Sequence, residues 1–404
     1  MNKIKNQIHS KETFLYAISR ILERASYYGL RSLIILYMIG EVLKMSNAEA
    51  LSIYGWFTAS FIFSQIIGAI LGDLIIGNKK AIIIGGIIQA LGAFSLCIPS
   101  TTGLYIGLFL IVLGGGLYTP NIISNFGKLY LNKTKLLDAG FTIFYLAINL
   151  GVFFGVISIA YFGEKYGWNV GFIIAGIIML LSIIPILFLK YTNIENTVKD
   201  KTSLNQRIIN ILIAIVVVSL FWAIYEIGNI RFFDLQLKLI EVSTLNIPKS
   251  MWTSLNSVFI LPISILAIIV WTFIYSNQFV KLTIGFIFGV ISFGVLLLIP
   301  EFPTQQHTIF YLLSLFFLSI SEIHIAPIFH SILTKYTNPK YLAIIISLAF
   351  IPNRLFIILV GIFSDNLYDN PIFALWLGVI FMAIISIGLI LYILINKKTT
   401  YNTV

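Results

Sequence analysis

Apolar runs of about twenty residues recur along the whole chain, each ended by a short polar or glycine-containing turn. A helix needs about 20 apolar residues to cross a hydrocarbon core of roughly 30 Å. The runs therefore predict twelve membrane-spanning helices, at 13–40, 51–76, 81–99, 103–126, 139–162, 167–190, 207–233, 251–276, 280–300, 306–335, 341–363 and 371–396. The longest polar interruption is Tyr191 to Gln206, which holds Glu195, Lys199, Asp200 and Lys201 and no apolar periodicity. It predicts a cytoplasmic linker over 191–206 between a six-helix bundle at 1–190 and a second at 207–404. The fold class expected is all-α membrane protein, with twelve transmembrane helices in two six-helix bundles. Two equal halves are the layout of secondary transporters built from repeats, which bind solute at the repeat interface near the bilayer midplane.

Charge fixes the orientation. Only Lys44, Lys165, Arg231, Lys238 and Lys249 are assigned to one side of the membrane. The opposite side collects the lysines of both terminal segments, of the linker and of the turns at Lys79-Lys80, Lys128 to Lys135 and Lys335 to Lys340. Cytoplasmic loops carry the excess of Lys and Arg, so both termini are expected inside. Composition agrees: 59% of the 404 residues are hydrophobic and 10% charged. A soluble chain needs far more charge on its surface. The formal net charge is +10, but its scatter over short loops is unlike a nucleic-acid groove, so no nucleic-acid partner is expected. The single cysteine, Cys97, excludes an internal disulfide and leaves no Cys-based metal site. The polar Met1 to Glu12 is not followed by a cleavage pattern, so no cleaved signal peptide is expected. The excess of Ile, Asn and Lys suggests an AT-rich bacterial genome, hence a bacterial inner membrane.

Four basic residues, Arg20, Arg24, Arg31 and Arg354, fall inside spans. A central charge costs at least ~2.5–3.5 kcal/mol on insertion scales, so such residues face a watery cavity or pair with one another. At 100° per residue, Arg20, Glu23, Arg24, Tyr27, Tyr28 and Arg31 share an arc of about 140° on one helix. That polar face predicts a cavity-lining first span. The second half supplies Glu226 in the seventh span, Glu322 in the tenth and Arg354 in the eleventh. Opposite charges from opposite halves suit a salt-bridge gate that forms in one state and breaks in the other. His324 and His330 are either proton relays or satisfied polar side chains. Asn149 and Asn256, taken singly, read as interhelical glue. The Gly114 to Gly116 run, Pro120 and Pro327 mark bends or close packing between helices.

Together these segments resemble the proton-dependent oligopeptide transporters of the major facilitator superfamily. Glu23-Arg24 with Tyr27-Tyr28-Gly29 is similar to that family's E-x-x-E-R-F-x-Y-Y-G motif. Phe144-Tyr145 with Asn149 and Gly151 is similar to F-Y-x-x-I-N-x-G, and Gly114 to Asn121 to G-x-G-x-x-K-P-N. Phe221 to Glu226 resembles F-W-A-x-x-E, Glu322 with Pro327 resembles G-E-x-x-x-x-P, and Gly72 to Lys80 resembles the superfamily's loop motif. The resemblance implies uptake of di- and tripeptides by alternating access and proton symport. It places Asn149, Asn256 and Glu322 at the peptide's amino end, Arg31 at its carboxylate, and Tyr27 and Tyr28 on the cavity wall. It assigns proton coupling and gating to Glu23, Arg24, Arg31, Glu226, Glu322 and Arg354, with Arg31 and Glu226 as a gate pair. The sequence departs from the pattern at Arg20, Ala25 and Thr119, which stand for the motif's first Glu, its Phe and its Lys. The segment 191–206 is too short for the extra helix pair common in bacterial members. The charges are expected to have been redistributed, with Arg354 pairing with Glu322 in place of the missing lysine. Glu226 or Glu322, each an isolated acid, is expected to carry the proton.

No nucleophile–base pair, metal-ligand spacing or phosphate loop falls within the spans, so the chain is read as neither an enzyme nor a cofactor or metal protein. Its expected partners are a small peptide, protons and the bilayer, and it is expected to be a monomer. The alternative is a transporter of the same fold for another small amine-bearing or anionic solute with altered or absent proton coupling.

Overall fold

A computed structural model describes residues 8–189, 202–244, 252, 255–362 and 367–401. Among these residues the chain is helical, with no strand. The long helices are α1 (Lys11–Ile39), α2 (Asn47–Ile70), α3 (Asn78–Ser95), α4 (Thr101–Lys128), α5 (Leu137–Tyr166) and α6 (Trp168–Leu187). They continue as α7 (Leu204–Val242), α8 (Leu255–Phe273), α9 (Gln278–Leu296), α10 (His307–Tyr336), α11 (Leu342–Ile362) and α12 (Pro371–Tyr401). Each expected span is a helix. Ten are long and apolar enough to cross a membrane; α1 and α3 fall short because of their own charges, Arg20, Glu23, Arg24 and Arg31 in one and Lys79 and Lys80 in the other.

Local chemistry sets the helix starts. Ser46 accepts the backbone N–H of Glu49 at 3.2 Å, and Ser203 accepts that of Gln206 at 3.3 Å. Both are serine N-caps within a Ser-x-x-Glu/Gln sequence, and the second begins α7 at Leu204 rather than 207. The expected linker otherwise lies outside the described residues up to 201. Gly77 (φ 85°) and Gly167 (φ 100°) precede α3 and α6. Only glycine adopts such a left-handed backbone without strain, so each permits the tight reversal its short connection requires.

The chain divides into two compact units: Met1–Lys201 with Leu333–Leu348, and Thr202–Ile332 with Ala349–Val404. The break at 201 falls within the expected linker. The hydropathy pattern gives no sign that Leu333–Leu348 belongs with the first unit.

In the first unit α1 packs on α5 and α6, and α4 packs on α2 and α3. Lipid is as apolar as leucine, so these helices are held by close packing and hydrogen bonds. The Gly114–Gly116 run is one place where that packing is very close. A Cβ on Gly116 would lie 1.9 Å from Ser64 Oγ, and one on Gly68 would lie 2.2 Å from Gly116 O. Ser64 Oγ donates to Val112 O at 2.6 Å. On the other side, a Cβ on Gly155 would lie 2.2 Å from Ala25 O. Ala25, at the position of the motif's Phe, is thus part of a close α1–α5 crossing. Ahead of α1, Tyr130 Oη hydrogen-bonds both His9 Nδ1 and Thr13 Oγ1 at 2.8 Å. Burial, aided by the charge of Lys133, holds the His9 imidazole below its ordinary pKa. In the second unit α12 packs on α7 and α9. There the buried Arg231 donates to Ile299 O at 2.9 Å and Pro300 O at 3.1 Å, and pairs with Asp234.

Candidate functional site

The polar face of α1 is built as a charge cluster. Glu23 and Arg20 are almost fully buried. Glu23 Oε2 accepts from Arg20 Nη1 at 2.9 Å and Arg24 Nε at 2.6 Å, and Glu23 Oε1 accepts from Arg24 Nη2 at 2.8 Å. Arg24 Nη2 also donates to Thr119 Oγ1 on α4 at 2.9 Å. Arg20 Cζ stands 5.3 Å from the centre of the Phe144 ring. One turn further, Arg24 lies 5.3 Å from the ring centre of Tyr27 and 5.7 Å from that of Tyr28. Arg31 lies over Tyr28 and Tyr54, and its Nε donates to the Tyr54 hydroxyl. Guanidinium over an aromatic face is favourable, increasingly so where water is excluded. Glu23, Arg24, Tyr27, Tyr28 and Arg31 therefore do form one continuous polar-aromatic stripe. Asn149 is half-buried on α5 and donates to Tyr145 O of its own helix at 2.9 Å.

In the second unit, Asn256 on α8 and Glu322 on α10 meet. Asn256 Nδ2 donates to Glu322 Oε1 at 2.8 Å, and Ser319 Oγ donates to Asn256 Oδ1 at 2.7 Å. Glu322 is 4% exposed. Glu226 is half-buried on α7, with Asn229 Nδ2 at 3.5 Å. His324 donates from Nδ1 to Ile320 O at 2.8 Å and packs edge-on against Trp271, an arrangement for packing.

Arg354 is exposed on α11, and the described ion pairs include none between it and Glu322. Its neighbours Leu355 and Ile358 are also exposed. The other expected pair, Arg31 with Glu226, has one member in each unit, and each is described within its own unit.

Three participants carried little sequence signal. Tyr54 and Ser319 are residue types too common in spans to stand out. In the sequence Thr119 shows only the absence of the motif's lysine, and in the structure it accepts from Arg24. Ser319 lies three residues before Glu322, hence on the same helix face, which was the one usable hint.

A further polar node lies in the first unit, where α2 ends in a wider π-turn, Leu71–Ile76. The Asp73 carboxylate is buried there, accepting Asn78 Nδ2 at 2.8 Å on one oxygen and the backbone N–H of Ile344 at 3.0 Å on the other. Lys128 Nζ is 3.6 Å from Asp73 and 2.7 Å from Asn78 Oδ1. A Cβ on Gly72 would lie 1.8 Å from Asn121 Oδ1, so this corner tolerates only glycine beside Asp73. The segment that resembles the superfamily's loop motif thus supplies an anionic cap to the first turn of α11.

The sequence from 16 to 359 matches the family described as Major Facilitator Superfamily. The chain belongs to that superfamily. It is 32% identical over 222 residues to "Uncharacterized transporter YclF" of Bacillus subtilis, covering 52% of this chain and 45% of that protein. It is 29% identical over 227 residues to "Dipeptide and tripeptide permease A" of Pectobacterium carotovorum, covering 55% and 45%. With the permease of that name from Escherichia coli it shares 32% over 180 residues, covering 44% and 36%. The matched part therefore spans less than half the length of these curated relatives. Among solved structures, a peptide transporter POT in complex with sulfate superposes with a TM-score of 0.61 at 24% identity, covering 94% of this chain and 95% of that one. A POT family transporter in complex with 5-aminolevulinic acid superposes at 0.65 and 22% identity, covering 94% and 96%. The fold is theirs, and the resemblance to the oligopeptide transporter branch read from the motifs is supported.

Proposed function

We propose that the chain is a secondary active transporter that imports di- and tripeptides by alternating access and proton symport. The observation that carries this reading is the division of charge between the two units. The first presents guanidinium groups against aromatic rings, Arg24 and Arg31 among Tyr27, Tyr28 and Tyr54. The second presents a buried carboxylate held by an amide, Glu322 with Asn256. A zwitterion needs both: a cation for its carboxylate and an anion for its amine. The permeases it resembles, named for dipeptides and tripeptides, support the same class of solute. Within this reading Asn149, Asn256 and Glu322 receive the amine, Arg31 receives the carboxylate, and Glu226 or Glu322 takes up the proton. The protein works as a monomer in a bacterial inner membrane with both termini in the cytoplasm.

A second reading, transport of another amine-bearing or anionic solute, is favoured by one residue. Thr119 stands where the resembled motif has a lysine, which removes one carboxylate-binding cation. Uptake into proteoliposomes under an imposed pH gradient separates the two. Accumulation of dialanine and trialanine, collapsed by a protonophore, supports peptide symport. Uptake competed by free amino acids or small anions but not by any peptide overturns it.

A further inference from the structure

In the first unit α2 and α4 touch closely at Gly68 and Gly116, and through the Ser64 bond to Val112 O. Nearer the serine caps of both helices, Ser46 on α2 and Ser100 on α4, that contact gives way to an open groove of about 600 Å³. Its walls are apolar and uncovered. Trp56 is 75% exposed and Phe109 65%, and Ile53 and Leu108 line it with them. The end near the caps differs. Glu49, in the first turn of α2, is exposed, and no described ion pair includes it. It is the one charged side chain in the lining, and Tyr105 lines the groove from the first turns of α4. At the far end Ser60 donates its hydroxyl to Trp56 O of its own helix at 2.7 Å, so nothing there calls for a polar ligand group.

Glu49 and Ser60 are eleven residues apart, about 16 Å along a helix at 1.5 Å per residue. One leaflet of a hydrocarbon core of roughly 30 Å is about 15 Å deep. The groove therefore runs the depth of one leaflet, with its single charge at headgroup level, where tyrosine also gathers. We propose that the α2–α4 groove holds one acyl chain of an amine-headed phospholipid, phosphatidylethanolamine, with the Glu49 carboxylate receiving its ammonium group. Charge chooses the headgroup. A primary ammonium offers Glu49 both opposite charge and N–H donors, a trimethylammonium offers the charge without the donors, and a glycerol headgroup leaves the lipid anionic and repelled. The solute site proposed above takes no part in this one, since none of its residues lines the groove.

The test uses the full-length purified protein in detergent micelles, titrated with lipids whose chains carry bromine, a contact quencher of tryptophan fluorescence. Phosphatidylethanolamine, phosphatidylcholine and phosphatidylglycerol are compared, and Trp56→Phe isolates the share of the signal that comes from Trp56. Phosphatidylethanolamine is expected to quench Trp56 at the lowest concentration, about two- to fivefold below phosphatidylcholine, the scale of one exposed ion pair. Glu49→Gln is expected to erase that difference. Glu49→Lys is expected to reverse the order and make phosphatidylglycerol the tightest. Ser60→Phe fills the far end and is expected to weaken all three lipids alike, leaving their order. A merely structural role for Glu49, as an anion at a helix start, lowers the unfolding temperature of Glu49→Gln but sets no order among lipids. The proposal is overturned if the three lipids quench Trp56 alike, as they would by general contact with the surrounding lipid. It is equally overturned if Glu49→Lys folds and keeps the natural order. It is overturned too if Trp56 is shielded from every lipid and the protein migrates as a dimer, since a second copy would then cover the groove.

Discussion

Replacing Asp73 by Ala removes the anionic cap that the π-turn offers to α11. Its oxygen accepts the N–H of Ile344 at 3.0 Å, in the first turn of a helix that starts at Leu342. A hydrogen bond to a charged acceptor contributes about 1.5–3 kcal/mol. The helix dipole adds roughly 0.3–1 kcal/mol for an anion at an N-terminus. Ser347 Oγ still donates to Gln65 O at 3.0 Å, so the segment stays tethered one turn further on. Taking the hydrogen bond alone, local opening of residues 342–348 becomes roughly 10- to 150-fold more frequent, since each 1.4 kcal/mol is tenfold. Hydrogen exchange by mass spectrometry, on the full chain in nanodiscs, reads this directly as faster exchange of peptides covering 342–348. Asp73→Asn keeps an acceptor oxygen and loses the charge, so it is expected to fall between Ala and the natural residue. Unchanged exchange in Asp73→Ala would refute the assignment of Asp73 as the cap of α11.

Three further outcomes are expected. Gly116→Ala drives a methyl to within 1.9 Å of Ser64 Oγ and 2.4 Å of its backbone; overpacking of this kind costs about 1–3 kcal/mol or more, seen as a lower unfolding temperature, while Gly55→Ala, which meets nothing within 4 Å, leaves it unchanged. Asn256→Ala strips Glu322 of a 2.8 Å donor, and peptide affinity by equilibrium binding is expected to fall at least about tenfold on the scale of one charge-assisted bond. His9 binds its proton less readily folded than unfolded, below an ordinary value of 6.5. The N-terminal contact is therefore intact above about pH 6.5 and loosens as pH falls below it; exchange at residues 9–13, corrected for intrinsic rate, rises between pH 7 and 5, and His9→Asn abolishes that rise.

The helices were legible because hydropathy at a period of one bilayer thickness is a strong, redundant signal. The charged positions of α1 were legible for the opposite reason: in an apolar run each ionisable residue is conspicuous, and their angular spacing alone puts them on one face. Partners were not legible. Nothing in the composition of α11 says which way Arg354 turns. Asp73 illustrates the other limit. Its neighbours Asn78, Lys128 and Ile344 lie 5, 55 and 271 positions away, and only the first is close enough in sequence for local reasoning to find. The loss of lysine at Thr119 was visible, but the hydroxyl's use by Arg24 depends on the approach of α4 to α1, which sequence spacing does not encode.

The bond from Ser319 to Asn256 has a consequence for what Glu322 meets. A carboxamide has almost the same shape either way round, yet one end donates and the other accepts. The Ser319 hydroxyl donates to Oδ1 at 2.7 Å, which turns the NH₂ end toward Glu322. Without that hydroxyl the amide is free to rotate by 180° and to set oxygen against oxygen. A side chain that touches no solute thereby decides whether the acid next to it is welcomed or repelled. Serine, the least conspicuous polar residue in a membrane helix, gives this site its polarity.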